Sequence, residues 1–267
     1  MKKRFFKIIL LSLLWLGIES CVFAQGIVVN KTDGSKVFFK ASEVLSVGVY
    51  GYGKGPDDDP YFHDWVDLDL PSGTLWATTN VGAKNPEDYG NYFAWGETIG
   101  YEEGKTTFNW ETYKYCSDGS AKTLWKYCTD SSYGTLDDKS ELESEDDAAT
   151  VNWGSDWQIP SYDQFKELIN SRYTITEWTT VNGVYGRKIT SKSNLKSIFL
   201  PAAGEISGES FSYTGRFGFY CSRSLGTDST FRMYLLYFYS DKIGTDCVYD
   251  GGNRCYGRSV RPVRVRK

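Results

Sequence analysis

Histidine and methionine are scarce in this chain of 267 residues, which has one histidine, His63, and two methionines. A single histidine excludes zinc sites built from several imidazoles, and it leaves no Ser-His-Asp or Cys-His arrangement with a supporting spacing. No glycine-rich phosphate loop joins a predicted strand to a predicted helix, and no pattern pairs two carboxylates as glycoside hydrolysis requires. We therefore expect a protein that is not an enzyme and that carries no cofactor or metal.

Excess positive charge is also lacking. The formal net charge is −4, and residues 1–24 hold four basic residues against one acidic residue, so the remainder carries −7. Such a chain is a poor partner for nucleic acid or an anionic membrane. Beyond residue 24 no apolar run is long enough to cross a bilayer, so neither nucleic-acid binding nor a membrane span is expected.

Residues 1–24 have the organisation of a secretory signal peptide. Basic residues at 2–4 precede an apolar run over 8–17, which is too short to span a membrane, and small residues lead to a predicted cleavage after Ala24. The sequence thus predicts a secreted or cell-surface protein. The alternative is a lipoprotein anchored at Cys21, although the glutamate in its irregular lipobox fits that motif poorly.

Cleavage after Ala24 would leave an odd number of cysteines: Cys116, Cys128, Cys221, Cys247 and Cys255. At least one of them is then free or paired outside the chain. Cys116 and Cys128 lie in two similar phrases, Lys-Tyr-Cys in each case, and both a bridge between them and two buried thiols are consistent with the sequence.

Composition divides the rest of the chain into three parts. Residues 25–50 predict a small β module with strands at 27–29, 37–39 and 44–50, and an Asp-Gly turn between the first two. Residues 51–64, rich in glycine, proline and aspartate, predict a linker. Residues 65–267 form the main domain.

The main domain predicts one well-marked helix and many short strands. Ser161 and Gln164 have the spacing of a capping box, and Phe165, Leu168 and Ile169 give one apolar face. Strands are predicted around a hairpin at 71–73 and at 92–95, 185–190, 197–200, 217–221, 233–240 and 259–265. Because strands do not alternate with helices, an α+β domain with a mainly antiparallel sheet is expected.

Residues 137–147 hold seven acidic residues and one lysine. The run suggests a cation site, but a solvated loop is the preferred interpretation, because no ligand spacing is visible. That loop would lead into a helix whose first turn contains Asp146 and Asp147, where acidic residues are favourable.

Several ordered motifs resemble a known family. They are Trp157-Gln158-Ile159-Pro160-Ser161 with the helix that follows, Leu70-Pro71-Ser72-Gly73-Thr74-Leu75-Trp76, Tyr92-Phe93-Ala94-Trp95-Gly96-Glu97, Phe199-Leu200-Pro201-Ala202-Ala203-Gly204, and Ser259-Val260-Arg261-Pro262-Val263. Together they resemble the fibrobacter-type major paralogous domain family and, more distantly, the formylglycine-generating-enzyme branch of the C-type-lectin-like superfamily. The resemblance implies a C-type-lectin-like domain with a mainly antiparallel sheet and two short helices.

The more distant resemblance also implies an alternative function. Formylglycine-generating enzymes use a copper-binding cysteine pair near the C-terminus, and Cys247 and Cys255 lie in the corresponding part of this chain. Two thiolates are suitable ligands for Cu(I). The separation and the flanking residues of this pair do not match those of the enzyme, so a copper oxidase is the less favoured interpretation.

The C-terminal segment predicts a recognition surface. In the strand over 233–240, Leu235, Tyr237 and Tyr239 lie on the face opposite Leu236 and Phe238. If the latter face the core, the former make an exposed aromatic row of the kind that marks binding surfaces. The alternative is that the outward row is covered by a loop and belongs to the core.

Loops on either side extend this predicted surface. The complete set of candidate ligand-binding residues is Phe231, Arg232, Leu235, Tyr237, Tyr239, Asp246, Cys247, Tyr249, Asp250, Cys255 and Tyr256. These irregular residues stand among residues that match the family motifs. In this respect the segment resembles the C-type-lectin-fold proteins whose C-terminal segment is diversified by diversity-generating retroelements. The sequence therefore predicts non-catalytic recognition of a protein or glycan, with a purely structural envelope protein as a further alternative.

Overall fold

The computed structural model describes residues 26–30, 36–40, 63–227, 229–246 and 252–265. The chain divides into two compact units, residues 1–60 and residues 61–267. Among the described residues, no helix combines the length and the apolar character that crossing a membrane requires.

In the first unit, strand β1 (Gly26–Asn30) pairs with strand β2 (Lys36–Lys40) in an antiparallel hairpin. This confirms the first two predicted strands of the N-terminal module. The Asp-Gly turn, the third predicted strand at 44–50 and the predicted signal peptide lie outside the described residues.

The second unit is a mixed α+β domain of mostly antiparallel strands with few short helices. Its strands are β3 (Trp65–Asp67), β4 (Thr74–Ala77), β5 (Tyr92–Phe93), β6 (Thr174–Val181), β7 (Val184–Ser191), β8 (Ser197–Pro201), β9 (Glu205–Ser207), β10 (Ser210–Ser212), β11 (Gly218–Leu225), β12 (Met233–Tyr239), β13 (Lys242–Asp246), β14 (Arg258–Ser259) and β15 (Val263–Val265). Its α-helices are α1 (Ala148–Trp153) and α2 (Tyr162–Leu168), and 3₁₀ turns lie at Ser131–Tyr133 and Ser144–Asp146. The predicted α+β class is confirmed at this level.

The largest sheet has the strand order β13-β12-β11-β14-β5. Neighbouring strands are antiparallel except β11 and β14, which run parallel. Strand β12 is therefore internal, with β11 on one side and β13 on the other. In its register Tyr237 lies opposite Phe219 on β11 and opposite Gly244 on β13.

Two smaller sheets have the orders β15-β4-β3 and β6-β7-β8, and β9 pairs with β10. The predicted hairpin around residues 71–73 is confirmed by the pairing of β3 with β4. Strand β6 is absent from the predictions although it is rich in threonine and other β-branched residues. It turns into β7 through Asn182-Gly183, whose φ angles of 47° and 83° suit a tight hairpin turn that favours these two residues.

The predicted strand over 259–265 is wrong as a single element, because it divides into β14 and β15. Pro262 has no backbone N–H to donate to a sheet, and Arg261 between the two strands turns its side chain into the core. The predicted strand at 92–95 is correct in position but ends after Phe93.

Helix α2 confirms the strongest local prediction. The Ser161 hydroxyl accepts from the Gln164 amide at 3.2 Å, and Gln164 Oε1 accepts from the Ser161 amide at 2.8 Å, which completes the capping box. Phe165 and Leu168 are buried in a core cluster that also contains Leu236 on β12. A helix of seven residues depends on such docking, since its own turns are too few to be stable alone.

Three arginines near the C-terminus are fully buried: Arg254, Arg258 and Arg261. Arg261 donates to Asn80 Oδ1 at 2.8 Å, to the Thr78 carbonyl at 2.8 Å and to the Phe199 carbonyl at 2.9 Å. Buried charge is tolerable only when its hydrogen bonds are satisfied, and here backbone carbonyls supply most of them. These side chains join the end of the chain to segments far away in sequence.

Replacement of Ser161 by alanine should lower the free energy of unfolding of the main domain by about 1 kcal/mol, because one amide of the first turn of α2 loses its acceptor. Urea denaturation followed by tryptophan fluorescence measures the change. Ser161→Asp, which keeps an acceptor at the same place, should lose much less. Equal losses for the two variants would contradict the role of the cap.

Candidate functional site

One face of β11 and β12, together with the segment that leads into β11, carries a continuous group of apolar side chains, here called the outer aromatic cluster. It consists of Tyr213, Phe217, Phe219, Leu235, Tyr237 and Tyr239. Alternation along the strands puts Leu236 and Phe238 on the other face, where they pack in the core with α2. The prediction of which β12 residues face away from α2 is confirmed.

The rings of the cluster contact one another in series. Phe217 stacks on Phe219 with ring centres 5.8 Å apart and planes 8° from parallel. Phe217 also packs against Tyr239 at 5.1 Å and against Tyr213 at 5.1 Å. Such offset and tilted contacts between rings are favourable beyond the burial of their area.

The predicted exposure of Leu235 and Tyr237 is wrong. Leu235 is 1% exposed and Tyr237 is 4% exposed, and both form a buried cluster with Phe219. Because β12 is internal, Tyr237 has Phe219 beside it on one strand and Gly244 on the other. The missing side chain of Gly244 lets the Tyr237 ring lie over the edge strand, so that a Cβ there would come within 3.0 Å of its hydroxyl.

The exposed part of the cluster lies at its other end. Tyr213 is 50% exposed, and Phe217 and Tyr239 are partly exposed. The β12–β13 turn beside them is held in place by Arg187, whose Nη2 donates to the Tyr239 carbonyl at 2.8 Å and to the Ser240 carbonyl at 3.1 Å. The result is a set of accessible rings on a fixed backbone.

Polar side chains border these rings. They are Thr214, Arg216, Ser240, Asp241 and Lys242, all exposed. The ammonium group of Lys242 lies 5.3 Å from the centre of the Tyr237 ring, where a cation is attracted by the π-system. An apolar centre with a polar border of both charges is the arrangement found at many recognition surfaces.

Phe231 and Arg232 belong to a different group of contacts. Phe231 packs against Tyr133 at 5.2 Å and against Trp110 at 6.5 Å, both from the loops over 100–140. The Arg232 guanidinium lies 5.1 Å from the centre of the Phe231 ring. The structure thus divides the predicted set and does not join Phe231 to the outer aromatic cluster.

The remaining predicted residues have varied positions. Cys255 is buried in the core, and Tyr256 is partly buried with the Arg258 guanidinium 5.4 Å from its ring centre. Asp246 ends β13 opposite Leu235. Cys247, Tyr249 and Asp250 lie outside the described residues.

The described cysteines are free thiols: Cys116, Cys128, Cys221 and Cys255. Cys116 and Cys128 are therefore not bridged to each other; Cys128 is a buried thiol as the second alternative expected, whereas Cys116 is only partly buried. The thiol of Cys128 lies 3.2 Å from the Asp130 carbonyl. Burial raises the pKa of the Cys255 thiol to about 12, with the nearby Arg258 opposing the shift. Cys255 is 1% exposed and belongs to the core cluster that also contains Trp95 and Tyr113, so its sulfur is not accessible from solvent.

Glu143, Glu145 and Asp146 approach one another closely enough to suggest a cation site. Lysines already occupy this position, since the Lys126 ammonium lies 2.6 Å from Asp146 and 2.6 Å from Glu143. Lys114 adds a contact of 2.9 Å to Asp146. The negative charge of this group is thus offset by lysines of the same chain, which lie where a bound cation would lie.

The two aspartates predicted for the first turn of a helix have different roles. Asp147 is the N-cap of α1 and accepts from the Thr150 amide at 3.0 Å. Asp146 precedes the helix in a 3₁₀ turn and is buried among Lys114, Lys126 and Tyr127. The interpretation as a solvated loop is therefore wrong for Asp146 and Asp147, which are both buried, and neither lies within the first turn of the helix. For Asp146, ion pairs and hydrogen bonds offset the burial.

Comparisons with known proteins identify no relative. No protein-family model, curated protein or solved structure matches the chain.

Sequence reasoning missed Tyr213, Phe217 and Phe219 as parts of the outer face. A signal was present, because alternation over 217–221 sets Phe217 and Phe219 opposite Tyr220, a side chain buried in the core with α2. Only the pairing of β11 with β12 shows that the two rows lie side by side.

Tyr237→Ala should lower the free energy of unfolding by about 3 kcal/mol, as expected for the loss of a large buried ring. Tyr185→Ala is the matched control, because Tyr185 lies on a strand but is 50% exposed. Urea denaturation of both variants gives the comparison. A similar small loss in each would mean that the Tyr237 ring is in solvent.

Asp146 should make stability depend on pH below about 4. Burial alone would raise the pKa of Asp146, but hydrogen bonds from Lys126, Lys114 and Tyr127 hold it well below its usual range. A carboxyl group with a lowered pKa stabilises the fold above its unfolded pKa of about 3.9, and this contribution is lost as the pH falls towards the folded pKa.

Asp146→Asn should therefore be less stable than the wild type at pH 7, and its stability should change less between pH 4 and pH 2. Thermal unfolding across this range measures both effects. Glu102→Gln, at an exposed position, should keep the wild-type dependence. An unchanged profile for Asp146→Asn would rule out the ion-pair network as its source.

Proposed function

We propose that this chain is an exported, non-catalytic binding protein that recognises a protein or glycan through the exposed end of the outer aromatic cluster. Export is supported by the sequence of residues 1–24, which has the parts of a secretory signal. The proposed contact residues are Tyr213, Phe217 and Tyr239, with the polar residues that border them.

The observation that carries the proposal is the series of ring contacts from exposed Tyr213 through Phe217 to Tyr239. Each exposed ring packs against another ring, so its side chain is already ordered before a ligand binds. Ordering side chains in advance reduces the entropy that binding would otherwise cost. Tyrosine adds a large contact area and a hydroxyl for hydrogen bonding.

The copper oxidase is disfavoured by the surroundings of Cys255. Its thiol is enclosed in the core and is 1% exposed, whereas an oxidase needs a copper site that its substrate can reach. The exposed rings, in contrast, are accessible without any rearrangement. Binding is thus the function that the described geometry supports best.

The proposed fold is a C-type-lectin-like domain. The arguments for it are the ordered motifs in the sequence, the mainly antiparallel sheets and the capped helix that packs on the central sheet. Retroelement diversification would act on a surface of which Leu235 and Tyr237 form the buried support and Tyr239 the accessible part. That interpretation is an extension of the proposal and is not needed for it.

Residues 25–267 should be screened against arrayed glycans and against arrayed purified extracellular proteins. For the ligand found, Tyr213→Ala and Tyr239→Ala should each weaken binding about tenfold, as expected for an interface side chain worth about 1.4 kcal/mol. Titration calorimetry measures the dissociation constants.

Tyr185→Ala is the control for exposure, since Tyr185 and Tyr213 are equally exposed. It should leave the affinity unchanged. If the cluster variants bind as tightly as the wild type, the recognition surface is elsewhere. If no ligand is found on either array, a purely structural envelope role becomes the better interpretation.

A further inference from the structure

Strand β6 is the edge of the β6-β7-β8 sheet and has unusual length for an edge strand. It spans eight residues, and its register with β7 runs without interruption from Thr174 to Val181. Proteins commonly protect such edges with prolines, bulges, short strands or several charges. Strand β6 has no proline, no bulge and one charged residue, Glu177.

The outer side of β6 is open within the described part of the chain, where only β7 pairs with it. Ile175 is 57% exposed, and Glu177 and Thr180 are also exposed. The single charge does not protect the edge, because Glu177 lies directly opposite Lys188 on β7. Opposite charges on facing strands partly neutralise each other.

The order of side chains along β6 suggests which strand would pair with it. The sequence of β6 is nearly symmetric about Trp178. Two residues before and two residues after it are threonines, at 176 and 180, and three residues before and after it are isoleucine at 175 and valine at 181. A second copy of β6 running antiparallel would therefore place alike side chains opposite each other. Threonine pairs and pairs of β-branched residues are favourable across strands.

We propose that β6 pairs with β6 of a second copy of this chain, antiparallel about a two-fold axis through Trp178. In an antiparallel ladder, the backbone N–H and C=O groups of two facing residues either both point towards the partner strand or both point away from it. Two identical strands related by a two-fold axis meet this condition only when the axis passes through a residue. An axis through Glu177 would set two carboxylates directly opposite each other. The axis through Trp178 avoids this and sets Glu177 opposite Thr179 of the second copy.

This interface is small. One strand pair with its flanking side chains buries less than the area of a standard stable interface, so association is weak and depends on concentration. The two-fold axis makes each substitution act twice, which increases the effect of a single change.

The sign of charge at position 179 tests the register. Thr179 lines an open groove with Lys188 and Phe199, which leaves room for a longer side chain. Thr179→Lys would face Glu177 of the second copy twice and should tighten the dimer about threefold or more, whereas Thr179→Glu should weaken it by a similar factor. Sedimentation equilibrium of residues 25–267 at low salt measures the dissociation constant.

The double variant Glu177→Lys with Thr179→Glu should restore the dimer that Thr179→Glu weakens, since the opposite charges return with exchanged positions. Thr106→Lys and Thr106→Glu, at an exposed position outside β6 and outside the proposed binding surface, should leave association unchanged. If a position-179 variant does not fold, Ile175→Lys and Val181→Glu should each weaken the dimer, and their combination should restore it.

A chain that stays monomeric at all concentrations would overturn the proposal and would leave β6 as an edge for a strand of another protein. A dimer that responds equally to both charges at position 179 would also overturn it, because the interface would then lie elsewhere. Neither result bears on the outer aromatic cluster, so the proposed binding function is tested independently.

Discussion

The arrangement of the main domain depends on buried arginines that bind backbone carbonyls. Arg254 donates to the carbonyls of Lys126, Tyr127 and Thr230 at 2.7 to 2.8 Å, and it lies against the Trp95 ring. Loops without regular structure leave carbonyls unpaired, and a guanidinium group with five donors satisfies several of them at once. Loss of one such side chain would leave many acceptors buried without partners, which is far costlier than the loss of one hydrogen bond.

The outer aromatic cluster is a consequence of the same construction. The end of the chain supplies β14, which separates β5 from β11 and so moves β11 and β12 towards one side of the central sheet. There the second face of β12 is not covered by α2, and aromatic side chains pack on it instead. The outer aromatic cluster thus has a buried part, which contains Leu235 and Tyr237, and a solvent-accessible border. Tyr239 lies between the two and is partly exposed.

The sequence was sufficient for local features and for the side to which each residue of β12 points. The capping box at Ser161 was predicted because its signals are local, and the alternation of Tyr237 and Phe238 follows from strand geometry alone. Exposure was not predictable, because it depends on which strands flank β12. The buried role of Arg254 was equally hidden, since its carbonyl partners are more than twenty residues away in sequence.

The contact between Tyr237 and Gly244 limits how freely this part of the sheet can change. A Cβ at position 244 would lie 3.0 Å from the Tyr237 hydroxyl and 3.1 to 3.2 Å from two of its ring carbons. A side chain at position 244 would therefore crowd the ring at position 237. A smaller residue at 237 would permit a side chain at 244, and a larger residue at 244 would demand a smaller one at 237. Variation at positions 237 and 244 is therefore coupled, and a change that enlarges one of these side chains would require a compensating change at the other.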